Sequence, residues 1–135
     1  MFQAACIKQI EYLMRLLADI AVLGVAILHI AFMALEMFLW NKPSGQRILG
    51  LDPDFARKTK TLAANQGLYN GFLAAGLIWS LLAAQFAYNL QVFFLGCVVI
   101  AGIFGGITSS RLIIWVQALP AMIALILVFL AQSTY

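Results

Sequence analysis

Four stretches of this chain are too apolar and too long to rest comfortably in water. Residues 20–40, 62–86, 90–108 and 112–130 each approach the ~20 residues that a helix needs to cross a bilayer. Inside hydrocarbon every backbone amide and carbonyl must find its partner within the segment, so each stretch is predicted to be a helix. The short intervals between them leave no room for a soluble domain. The expectation is an all-α integral membrane protein: a four-transmembrane-helix bundle over residues 20–135, preceded by a short amphipathic segment, 1–19. Composition agrees, with 64% of the 135 residues hydrophobic and only 10% charged.

The polar residues that remain are concentrated. Glu11, Arg15 and Asp19 recur every four residues and form a charge ladder on one face of the amphipathic lead-in, which either lies at the interface or extends the first helix outward. The connector 41–61 holds Pro43, Ser44, Gly45 and Gly50, which stop the first helix after Trp40. "LDPDF" then restarts one, with Asp52 as N-cap, Pro53 in the first turn and Asp54 complementing the helix dipole. Lys42, Arg47, Arg57, Lys58 and Lys60 fall in this connector and Arg111 in the one between spans three and four, whereas "AYNLQ" and the tail "AQSTY" are uncharged. Basic residues favour the cytoplasmic side, so both termini are expected outside the cytoplasm of a multi-pass protein in the bacterial inner membrane. No basic stripe with interleaved aromatics points to nucleic acid. One histidine and two cysteines without a CxxC give no metal site, and no cofactor is expected.

His29 and Glu36 stand out because they interrupt the hydrocarbon of the first span. Glu36 lies ~6 Å deeper than Trp40 at the helical rise, and His29 ~16 Å deeper. The two share a helix face but are ~10 Å apart along the axis, so each needs a partner from elsewhere. The second span opens with "NQGLYNG", which places Asn65, Gln66, Tyr69 and Asn70 at the depth of Glu36. These six residues form the expected ligand- or proton-binding set, with Trp40, Arg111, Trp115 and Gln117 as the rim of a cytoplasm-facing pocket. An intramembrane carboxylate costs on the order of 3 kcal/mol on insertion scales, which favours a functional reason for keeping it. Gly67, Gly71 and Ala75, and Gly102 with Gly106, are small-xxx-small strips expected to serve helix packing. Pro120 is expected to kink or loosen the fourth span.

"HIAFMALEMFLW", "GLDPDFARKTKTLAANQGLYNGFLAAGL" and "VQALPA" together resemble the small bacterial integral-membrane family known as domain of unknown function 1304, over about residues 16–132. The resemblance implies a four-span inner-membrane protein and brings no activity with it. A looser likeness is to small proton-coupled efflux proteins, which carry an essential carboxylate in their first span; spacing and flanking residues differ, so this is analogy alone.

The leading functional expectation is binding or transport of a small lipophilic or cationic molecule around Glu36, coupled to a proton. The alternatives are an accessory or assembly subunit of a larger membrane complex, or a membrane-embedded acid/base enzyme acting on a lipid or isoprenoid. The second needs Glu36 and His29 as its pair, and no nucleophile triad or phosphate loop accompanies them. The expected partners are membrane lipids, a small-molecule ligand, and either a second copy of the chain or a larger complex.

Overall fold

A computed structural model describes residues 2–132, so Met1 and residues 133–135, the end of the uncharged tail, lie outside the described residues. The described residues are helical: α1 (Phe2–Ala34), α2 (Pro43–Leu49), α3 (Pro53–Leu82), α4 (Ala87–Thr108) and α5 (Leu119–Gln132). Two wide π-helical turns, Leu35–Leu39 and Ile114–Ala118, continue α1 and precede α5. Residues 4–19 are part of the same uninterrupted helix as the first apolar stretch.

Three of these helices are long and apolar enough to cross a membrane: Gln3–Leu39, Ala87–Thr108 and Ile114–Gln132. Large apolar side chains such as Ile20, Ile27, Phe93, Ile100 and Phe129 face outward, as expected where the solvent is lipid. α3 has length to spare at 30 residues, but Asn65, Gln66 and Asn70 dilute its apolar stretch. It also stops at Leu82 rather than running to residue 86. The amide of Phe86 closes a turn by donating to the Ala83 carbonyl (3.0 Å), and α4 begins at Ala87.

The buried faces explain how the helices pack. Along α1, Ala18, Val22, Val25 and His29 are buried at alternating spacings of four and three. α4 buries Gln91, Leu95, Val98 and Gly102 in the same rhythm, and α5 buries Ala121, Ala124, Val128 and Ala131. A 3.5-residue period keeps one seam facing its neighbours, and small residues on the seam let backbones come close, since hydrocarbon gives no hydrophobic drive to helix association.

The chain forms two units. In the unit made of Met1–Val25 and Gly76–Tyr135, α4 and α5 form an antiparallel hairpin around Gly102 and Gly106. A Cβ at Gly102 would stand 2.7 Å from the Ala118 amide nitrogen and 2.9 Å from its Cα, so the two backbones are in near contact; one at Gly106 would overlap Ile114. Both glycines of this strip therefore lie where the helices approach closely. Pro120 has no N–H for the carbonyl one turn earlier, and the wide turn Ile114–Ala118 lies directly before it, which is the expected loosening.

In the unit Ala26–Ala75, the 41–61 connector contains a helix that its glycines and proline did not suggest. Pro43 starts α2, Gly45 is buried where a Cβ would overlap the Leu39 carbonyl, and Gly50 ends the helix in the left-handed conformation (φ 63°). The Leu51 amide then reaches back to the Gln46 carbonyl at 2.9 Å, the closure that a left-handed glycine permits. Asp52 is the N-cap of α3: its Oδ1 accepts from the amides of Asp54 (3.0 Å) and Phe55 (2.9 Å). The neighbouring Asp54–Arg57 ion pair is exposed and adds little.

The two kinds of glycine separate experimentally. Gly102→Ala should lower stability in detergent by about 1–3 kcal/mol, because the clash is with backbone. Gly96→Ala, where a Cβ meets nothing within 4 Å, should be neutral or raise it by about 0.5–1 kcal/mol through helix propensity. Thermal unfolding followed by circular dichroism reads both.

Candidate functional site

Glu36 sits in the wide turn Leu35–Leu39 at the end of α1. Its Oε2 accepts a hydrogen bond from Asn70 Nδ2 of α3 at 2.7 Å, and the carboxylate is half-buried. The close crossing that permits this bond is made by Gly67, one turn before Asn70. A Cβ there would stand 2.6 Å from Met37 Cγ, 3.0 Å from Glu36 Cβ and 3.1 Å from the Met33 carbonyl oxygen. One turn later Gly71 faces the Met33 sulfur.

The same geometry sorts the expected polar set. The buried positions of α3 in this unit are Ala56, Ala63, Gly67 and Ala74, with Asn70 completing the four–three rhythm between the last two. Asn70 is therefore the amide of "NQGLYNG" that occupies the seam. Asn65, Gln66 and Tyr69 flank it with exposed side chains, and the Tyr69 ring leans on Phe72 with centroids 6.4 Å apart. The seam also selects Ala74 over the expected Ala75, which is exposed: a strict four-residue strip drifts off a 3.5-residue seam after two steps.

His29 is buried on α1, with its ring edge-on to Phe32 at 5.7 Å between centroids. Trp40 is half-buried, and its indole N–H donates to Thr59 Oγ1 (3.0 Å), whose hydroxyl donates to the Phe55 carbonyl (2.7 Å). That chain fixes the end of the wide turn against the first two turns of α3. Arg111, Trp115 and Gln117 belong to the other unit, where Trp115 and Gln117 lie in the second wide turn; Arg111 and Trp115 are exposed and Gln117 is half-buried. Within the described residues no group of three or more His, Cys, Asp or Glu is placed to hold a metal ion.

A second polar pair went unnoticed in the sequence. Gln91, buried on α4, donates from Nε2 to Asp19 Oδ1 of α1 at 3.1 Å. Asp19 reads as the last rung of an exposed charge ladder, whereas the packing gives it a buried amide as partner. The available signal was Gln91 itself, the single amide within the apolar run 90–108.

Residues 23–129 match the family model described as protein of unknown function (DUF1304). The chain belongs to this family. The matched segment contains Glu36, Gly67, Asn70 and Gln91, and leaves Arg15 and Asp19 on its N-terminal side. DUF1304 relatives include the uncharacterized protein YpaA of Lactococcus lactis subsp. lactis (strain IL1403), 29% identical over 115 residues that cover 84% of this chain and 97% of the relative. No solved structure matches.

The Glu36–Asn70 bond carries a specific energetic expectation. Asn70→Leu removes the donor and leaves a carboxyl without its partner, and should cost about 1–3 kcal/mol of stability in detergent. Glu36→Gln keeps an acceptor oxygen toward Asn70 and should cost less than half as much. A comparison of the two midpoints by thermal scan checks the assignment.

Proposed function

We propose that this DUF1304 chain is a membrane protein that binds a small lipophilic cation at Glu36 and exchanges it for a proton. The observation that carries the reading is the Glu36–Asn70 pair: a half-buried carboxylate on an apolar helix, held by one neutral amide on another helix. An amide donor orients a carboxylate without neutralising it. The negative charge is left for a guest cation or a proton, and the two compete for the same oxygens. The wide turn beneath Glu36 supports the same reading, because π turns in membrane helices often mark functional positions. Tyr69, Asn65 and Gln66, exposed beside Asn70, would supply the polar and aromatic walls, and His29 a second titratable group one heptad away on α1.

In this reading α3 is a fourth span. Its 30 residues reach ~45 Å at the helical rise, and its one seam amide is satisfied by Glu36. The basic connectors, with Lys42, Arg47, Arg57, Lys58, Lys60 and Arg111, would face the cytoplasm, which puts the termini on the opposite side and opens the Glu36 site toward the cytosol. A chain this small encloses little room for a pathway, so movement across the bilayer would use two copies.

The test is binding of tetraphenylphosphonium to the full chain in nanodiscs, followed by calorimetry. The parent should bind the cation and lose it as the pH falls and the carboxyl is protonated. Glu36→Gln should abolish binding while the helical spectrum stays intact. If Glu36→Gln binds the cation as tightly as the parent, the reading fails.

A further inference from the structure

The net charge of the chain is lodged in one place. Lys8, Arg15 and Arg111 are matched in number by Glu11, Asp19 and Glu36, so the formal charge of +3 falls entirely within residues 41–61. There Lys42, Arg47, Arg57, Lys58 and Lys60 stand against two acids, Asp52 and Asp54. Both acids are already committed. Asp52 caps α3 through the amides of Asp54 and Phe55, and Asp54 pairs with Arg57 at 2.8 Å. Lys42, Arg47, Lys58 and Lys60 are exposed and make no ion pair among the described residues.

The unit Ala26–Ala75 puts these cations where an apolar helix gives out. α2 turns back on Leu39, the last residue of the apolar helix Gln3–Leu39, so closely that a Cβ at Gly45 would overlap its carbonyl. The Trp40–Thr59 bond of 3.0 Å brings the first turns of α3 to the same end. Large apolar side chains are interleaved with the cations and point outward. Ile48, next to Arg47, is 65% exposed. On α3, Phe55, Lys58 and Leu62 are spaced i, i+3 and i+7 and form one stripe, off the face that buries Ala56 and Ala63. Phe55 is 51% and Leu62 64% exposed, so Lys58 has an apolar neighbour on either side along the axis. Water rewards the ammonium groups of such a surface and penalises Ile48 and Phe55. A layer of lipid head groups satisfies both: phosphates meet the cations, and the acyl boundary takes the apolar side chains.

We infer that the exposed face of α2 and of the first turns of α3 is a docking surface for anionic phospholipid, of the phosphatidylglycerol type. Phosphodiesters lie against Arg47 and Lys58, and Ile48, Phe55 and Leu62 sink toward the acyl boundary. Each cation near an anionic leaflet raises affinity by about fivefold, so four of them outweigh what a neutral head group offers. The inference rests on the chain being a membrane protein and is independent of what Glu36 binds.

Native mass spectrometry of the delipidated full chain, offered equal amounts of phosphatidylglycerol and phosphatidylcholine with the same acyl chains, tests this. The parent should retain phosphatidylglycerol about tenfold or more over phosphatidylcholine. Lys58→Gln should cut that preference by about threefold to fivefold. Combining it with Lys42→Gln, Arg47→Gln and Lys60→Gln should erase the preference; the single variant gives the reading if the combined one does not fold. Lys8→Gln, which removes a charge near the start of α1, should leave the preference intact. Soluble glycerophosphoglycerol should not displace the lipid, because it lacks the apolar contacts. Equal retention of the two lipids by the parent overturns the inference and leaves the cations to water or to an acidic protein. A preference unchanged in the folded combined variant overturns it, as does one that Lys8→Gln lowers as much as Lys58→Gln, since net charge alone then accounts for it. Displacement by glycerophosphoglycerol also overturns it and marks a plain anion site.

Discussion

A carboxylate on a helix that lipid surrounds has no water to fall back on, so its partner must be brought by another helix. Here Asn70 brings it, and the bond depends on how closely two backbones approach. Gly67 sets that approach, because any side chain there would meet Met37 and the Met33 carbonyl. The wide turn Leu35–Leu39 and the Trp40–Thr59 bond then hold the end of the helix in register with the start of α3. Asp52 and Gly50 contribute further back along the chain by fixing where α3 begins. A single hydrogen bond of 2.7 Å thus rests on a sequence of local choices.

The Asp19–Gln91 pair obeys the same requirement in a different setting. Both acids are met by neutral amides from other helices, but Asp19 shares its surroundings with a cation and an open volume, whereas Glu36 is approached by methionines and glycines.

Much of this architecture could be read from the sequence, and the reasons it stopped short are physical. Apolar length gave the helical character and three helices able to span, and cap chemistry gave the start of α3 at Pro53, because both are local properties. α2 was not legible, because Pro43 and Gly50 signal breaks equally well when they bound a short helix. The choice among Asn65, Gln66, Tyr69 and Asn70 depends on the phase of the α3 seam, which the mixed polarity of that helix conceals. Glycines and alanines populate several faces, so Ala75 looked as suitable as Ala74. Asp19 was obscured by its neighbours: a ladder of charges suggests solvent alone, and only the helix carrying Gln91 shows that this exposed rung also has a buried amide as partner.

The glycine contacts of the molecule differ in how they would answer a push. Gly102 rests on backbone, which cannot move without its whole helix moving. Gly71 rests on the end of Met33, a side chain with three rotatable bonds and a polarizable tip. One contact is a fixed bearing and the other a cushion. The cushion lies one residue from Asn70, so the wall beside the Glu36–Asn70 bond is one that can yield and recover its shape.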